Sequence, residues 1–211
     1  MPDIGVLRNS ARIKQAVREF FISRDFLEVD TPILSPFLIP ESCLEVFKTE
    51  LVNPGKDSQA LYLIPSPELW MKRMAVEFSC SLFQITKSFR NYESRGKYHN
   101  PEFTQMELYV AYKDYEWMMD LVEEMVERIA IDLHGTTRVT VGDKSIDFKR
   151  PWKRYTMLGV IREFTGIDIS EMDEAGLRAT AAKLGVETDP SMGKGKLIDE
   201  IFGDLAGDAS Y

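Results

Sequence analysis

An α+β fold, an antiparallel sheet flanked by helices, is predicted by three observations. Residues 81–90 and 102–112 alternate apolar and polar side chains at the period of a strand. Residues 8–26 place Ile13, Val17, Phe20 and Phe21 at i, i+4, i+7 and i+8, one face of a helix. Met118, Leu121, Val122, Met125 and Ile129 repeat that spacing after the second strand. The chain has 211 residues, enough for one domain or one with a small appendage.

The first helix has Asn9 or Ser10 as its expected cap. Phe26, Leu27, Glu28 and Val29 read as a short strand, stopped by Thr31-Pro32. Residues 33–60 are Pro-rich and read as irregular, with a strand-like patch at 44–51 and a turn at Asn53-Pro54-Gly55. Ser66-Pro67-Glu68 reads as a helix start: a capping hydroxyl, a Pro at the first helical position, and an acid at the positive helix end. That helix is expected to run to Phe78. The alternating strands follow, then the Met-rich helix. A hairpin is expected around Gly142-Asp143, a helix from a Thr156 cap to Gly166, and helices near 173–184 and 194–203.

Acidic residues outnumber basic ones, 34 to 26, for a net charge of −8, which argues against a general nucleic-acid binder but does not exclude a local basic groove. Cys43 and Cys80 stand far apart, suggesting neither a disulfide framework nor a zinc site, and no metal-ligating cluster is expected. No apolar run approaches the roughly 18 residues of a membrane span, so a cytoplasmic location without membrane attachment is expected.

The chemistry concentrates between residues 83 and 110. Two alternating strands separated by an eleven-residue loop, Asn91 to Pro101, are expected to pair antiparallel. Phe83, Ile85 and Phe89 face one way, and Gln84, Thr86, Ser88 and Arg90 the other. In the second strand Met106, Leu108 and Val110 oppose a mixed face of Phe103, Gln105, Glu107 and Tyr109. Pairing brings Arg90, Glu107 and Tyr109 to one surface. Arg95, Lys97, His99 and Asn100 in the loop suit phosphate, and a guanidinium that stays charged suits a triphosphate. A carboxylate and a phenol suit an ammonium group, and Phe103 a base. The plain alternative is a polar face turned to water, whose Arg–Glu pair would contribute little. Clustering so many reactive types, aromatics included, within about twenty residues weighs against that alternative.

The segments SFRNYES and HNPEFTQMELYVAY resemble motif 2 of class II aminoacyl-tRNA synthetases in its lysyl form. RDFLEVDTPIL resembles motif 1, and PWKRYTMLGVIREFTGIDI the lysyl branch downstream, so the resemblance runs from about Leu7 to Phe202. PESCLEVFKTEL and LIPSPELWMKR look more like the synthetase paralogue that attaches lysine or β-lysine to elongation factor P. Residues 1–211 are accordingly expected to be one synthetase-like catalytic core with motifs 1 and 2 only and no anticodon-binding domain. The third motif would follow residue 211, leaving the core incomplete at its C-terminus and, alone, a weak binder and poor adenylating enzyme.

The resemblance implies ATP-dependent adenylation, with ATP and Mg²⁺ as cofactors, and roles residue by residue. Ser66, Pro67 and Glu68 would line the amino-acid pocket, with Glu68 on the α-ammonium. Arg90 would bridge the substrate carboxylate and the ATP α-phosphate. Asn91, Tyr92, Glu93, His99 and Asn100 would contact ATP, and Phe103 would stack on adenine. Glu107 and Tyr109 would read the side-chain amine. The family usually carries Glu directly after Arg-Asn; here Tyr92 stands there and Glu93 follows. Mg²⁺ ligands are expected mostly beyond residue 211. Motif 1 implies a homodimer around Pro32. Transfer of lysine or β-lysine to elongation factor P is the first reading, charging of tRNA-Lys the alternative, and a degenerate binding or dimerisation module the third.

Overall fold

The computed structural model describes residues 3–38, 45–91 and 99–208, with side chains to residue 204. Tyr92, Glu93, Arg95, Lys97 and Cys43 therefore lie outside the described residues. The chain divides into two compact units, Met1–Thr137 and Arg138–Tyr211.

The first unit begins with helix α1 (Ile4–Ile22), earlier than the apolar spacing indicates. Asp3 is the cap, its carboxylate accepting from the Gly5 N–H, rather than Asn9 or Ser10. Ile4, Val6 and Leu7 are exposed, so this first turn carries no burial pattern to read. Strand β1 (Leu27–Glu28) follows as expected. Residues 33–60 are less irregular than expected. β2 (Leu34–Ser35), β3 (Lys48–Leu51) and β4 (Gln59–Leu63) form an antiparallel sheet in the order β2-β4-β3. Every β3 side chain is exposed, so this sheet lacks the apolar alternation that marks a strand. The Asn53-Pro54-Gly55 turn is present, closed by the Lys56 N–H on the Asn53 carbonyl at 3.0 Å, with Gly55 at φ +76°.

Helix α2 (Glu68–Phe78) has Pro67, not Ser66, at its cap position. Ser66 still serves the helix start, its Oγ accepting the Glu68 N–H at 3.1 Å. The helix ends at Phe78 as expected, with Ser79 left-handed at φ +52°.

β5 (Leu82–Phe89) and β6 (Glu102–Tyr109) pair antiparallel over their whole lengths, from Leu82↔Tyr109 to Phe89↔Glu102. β5 is central, with β1 added in parallel on its other edge. Phe83 and Ile85 of β5 and Met106 and Leu108 of β6 form the apolar face, while Lys87 and Glu102 pair at its exposed end. The face packs on α1 and on α3 (Tyr115–His134) through Val17, Phe20, Phe21, Phe26, Phe83 and Leu121. Phe21 contacts Phe20, Phe26 and Phe83 with ring centroids 5.0–5.2 Å apart, favourable aromatic spacing. α2 covers one end of the opposite face, where Met71 meets Leu82 and Val29 beside Tyr109.

The second unit opens with the hairpin β7 (Arg138–Val141) and β8 (Lys144–Asp147). Gly142 at φ +63° takes the first place of its two-residue turn, where a side chain would strain the backbone. Then come α4 (Met157–Thr165), α5 (Glu174–Leu184) and α6 (Lys194–Asp208), capped by Thr156 and Asp173 at the starts of the first two. α6 extends five residues beyond the expected end at 203. The unit's core gathers Ile161, Ile169, Leu177, Ala181, Val186, Leu197 and Ile201. Among the described residues, no helix is long and apolar enough to cross a membrane.

Candidate nucleotide and amino-acid site

The β5–β6 register decides which side chains meet. Gln84 lies opposite Glu107, Thr86 opposite Gln105, and Ser88 opposite Phe103. Directly opposed residues of an antiparallel pair project to the same face. The Arg90 N–H continues the ladder onto the Pro101 carbonyl at 2.9 Å. Arg90, Phe103, Gln105, Glu107 and Tyr109 thus share the face turned away from α1 and α3, as the alternation predicts. The Arg90 guanidinium carbon stands 5.2 Å from the centroid of the Phe103 ring, within cation–π range. A permanent cation and a flat apolar surface, side by side, match a phosphate and a base.

This face is not simply wetted. Gln84, Thr86 and Ser88 are buried, and Gln84 Oε1 accepts from Thr31 Oγ1 at 3.0 Å. At its centre the Glu107 carboxylate collects three donors. Oε1 accepts from Ser66 Oγ at 2.7 Å and from Gln105 Nε2 at 2.9 Å, and Oε2 accepts from the Tyr109 hydroxyl at 2.9 Å. The Ser66 hydroxyl thereby joins the start of α2 to the sheet, donating to Glu107 while accepting from the Glu68 N–H. Burial, the bond to Glu107 and the charges of Glu107 and Glu68 together push the Tyr109 phenol above its ordinary range. Tyr109 is therefore held as a donor, with the two carboxylates Glu107 and Glu68 acting on it.

The other residues singled out divide between the two ends of the ladder, Pro67 and Glu68 near Tyr109, and Asn91, His99 and Asn100 beyond the Phe89–Glu102 pair. Pro67 is almost fully buried beneath the α2 start. Glu68, on the first turn of α2, forms an ion pair with Lys72 one turn on and is close enough to act on Tyr109. The Asn91 N–H donates to the Glu45 carbonyl at 2.9 Å, tying the end of β5 to the segment before β3. His99 and Asn100 are exposed just before β6, and the Asn100 amide donates to the Glu102 carbonyl at 2.8 Å. The Tyr92 and Glu93 assignments fall on residues outside the described set. Sequence reasoning passed over Ser88, Gln105, Gln84 and Thr31 as contributors. Their signal was polarity at face positions that a solvated strand would show equally.

For Mg²⁺ the described side chains fit poorly. No three His, Cys, Asp or Glu residues converge among them. Glu107 already accepts three hydrogen bonds, which among the described residues leaves its carboxylate one acceptor direction.

Known proteins resemble this chain over most of its length. A family model of class II tRNA synthetases (D, K and N) matches residues 5–189. The chain is 48 % identical to lysine–tRNA ligase of Porphyromonas gingivalis, over 90 % of this chain and 32 % of that protein. It is 41 % identical to lysine–tRNA ligase of Christiangramia forsetii, over 92 % of this chain and 33 % of that protein. Identity to lysine–tRNA ligase of Azobacteroides pseudotrichonymphae is 40 %, over 91 % of this chain and 37 % of that protein. The chain spans about a third of the length of the curated relatives it matches.

Proposed function

The chain belongs to the class II tRNA synthetases of the D, K and N group, and from that premise we propose that it activates lysine with ATP and charges tRNA-Lys. The observation that carries this reading is the shared face: Glu107, bonded by Ser66, Gln105 and Tyr109, lies on the same side of β5–β6 as the Arg90–Phe103 pair. One end suits a side-chain ammonium and the other a nucleotide.

In the reaction, the lysine carboxylate attacks the α-phosphorus of ATP and pyrophosphate leaves. A tRNA hydroxyl then attacks the acyl carbon and AMP leaves. The protein's part is to hold the reactants and to neutralise developing charge. Arg90 bridges carboxylate and α-phosphate. Phe103 stacks on adenine, and Asn91, Tyr92, Glu93, His99 and Asn100 contact the nucleotide. Glu107 and Tyr109 receive the side-chain ammonium, while Ser66, Pro67 and Glu68 shape the α-amino end, with Glu68 on the α-ammonium. Residues 1–211 form the part of the core that holds motifs 1 and 2. Exposed Ile33, Leu34, Phe37 and Leu38 beside Pro32 support a homodimer through that region. A cytoplasmic location belongs to the same reading.

The similarity of residues 40–51 and 63–73 to the elongation factor P ligase puts protein modification first on sequence alone. The relatives named above are lysine–tRNA ligases, which supports tRNA as acceptor and moves elongation factor P to second place. Calorimetric titration with the sulfamoyl analogue of lysyl-adenylate tests the site. Binding is expected, weakened about 10- to 100-fold by Glu107→Gln and by Arg90→Ala. Equal affinity for lysyl and leucyl analogues would overturn the reading. Labelled lysine offered with tRNA-Lys and with elongation factor P separates the acceptors.

A further inference from the structure

Gln105 stands on β6 between Phe103 and Glu107, on the face of the site. Its amide nitrogen carries two protons. One goes to Ser88 Oγ at 2.7 Å and the other to Glu107 Oε1 at 2.9 Å. The carboxylate dictates this orientation, because it only accepts: an amide oxygen turned toward it would face another oxygen. Ser88 is fully buried on the central strand, so the far anchor is rigid.

The remaining donors to Glu107 are held differently. Ser66 is tied to the start of α2, and Tyr109 presents its hydroxyl from a half-buried ring. Gln105 alone among these three links the carboxylate to β5. A carboxylate has about four acceptor directions. Both on Oε1 are taken by Ser66 and Gln105, and Tyr109 takes one on Oε2. Among the described residues, one direction on Oε2 is left.

We propose that Gln105 is a positioning residue: acting through Glu107, it fixes the plane of that carboxylate so that the remaining Oε2 direction meets the side-chain ammonium of lysine and disfavours the shorter ornithine. The inference rests on the lysine reading of the site. A carboxylate locked in one plane receives an ammonium at one reach. A carboxylate free to turn follows a shorter chain inward and loses that discrimination.

Titration of the full chain with lysyl and ornithyl sulfamoyl-adenosine, and separately with ATP, tests this in the wild type, Gln105→Met, Ser88→Ala and the double variant. Met keeps the length of Gln and removes both donors. Gln105→Met is expected to weaken the lysyl analogue about tenfold, to lower the lysyl-to-ornithyl ratio, and to leave ATP affinity unchanged. Ser88→Ala is expected to act in the same direction, more weakly, and to add nothing in the Gln105→Met background, because Ser88 acts through Gln105. A merely structural role would lower all three affinities together. Ser88→Ala removes one oxygen from a buried side chain and carries the test should Gln105→Met fail to fold. Lysyl and ornithyl affinities unchanged in Gln105→Met, or additive effects of the two substitutions, overturn the inference alone. A wild type that binds neither analogue overturns it together with the lysine reading.

Discussion

Tyr109 shows how a single proton is held by its surroundings. Its phenol donates to Glu107 Oε2, and ionisation would set a second negative charge against that carboxylate. Burial, that bond and the charges of Glu107 and Glu68 all raise its pKa. The native phenol therefore keeps its proton at pH values where the unfolded one, near pH 10, releases it. The stability this supplies is fully present below about pH 10 and declines as pH rises beyond it. Glu107→Gln removes the charge, so ultraviolet titration of the phenolate should place the Tyr109 midpoint lower, and alkaline unfolding should become less steep. An unmoved midpoint would contradict the coupling. Ser66→Ala loses a donor to Glu107 and the acceptor for the Glu68 N–H at once. Urea unfolding is expected to show a loss of about 1 kcal/mol.

At the scale of elements, β5 is the member on which the first unit turns. It pairs with β1 on one edge and β6 on the other, and its two faces meet different layers. Phe83 is fully buried and stacked on Phe21 with centroids 5.0 Å apart. Phe83→Ala is expected to cost about 3–5 kcal/mol, read as a lower urea midpoint. Both long strands were legible in the sequence because apolar and polar side chains alternate along them, whether or not the polar ones are buried. β2 and β4 were not. β2 has two residues, and β4 is exposed or half-buried along its length, so neither carries a burial signal. The start of α1 was missed for the same reason: Ile4, Val6 and Leu7 face water, and the Asp3 cap is the only local mark of the helix start.

At the scale of the molecule, each unit carries its own core. In the second unit, Ile161, Ile169, Leu177, Ala181, Leu197 and Ile201 are all essentially inaccessible to solvent. Leu177→Ala opens a cavity against α4 and α6 and is expected to cost about 2–5 kcal/mol. Hydrogen exchange should then speed up across α4, α5 and α6 together, and exchange confined to α5 would contradict a shared core.

Side-chain periodicity was enough to place Arg90, Phe103, Glu107 and Tyr109 on one face. Alternation assigns each side chain to the apolar or polar side of its own strand, and pairing like side with like side across the connecting loop fixes the common face, so that much was written locally in residues 83–110. Three other facts came only from the folded chain: the opposition of Gln84 and Glu107, the reach of Ser66 across 41 positions to Glu107, and the clamp of Gln105 between Ser88 and Glu107. Each depends on where distant segments close on one another. A polar residue on a strand looks the same in the sequence whether it meets water or a buried carboxylate; packing of α2 against the sheet decides which.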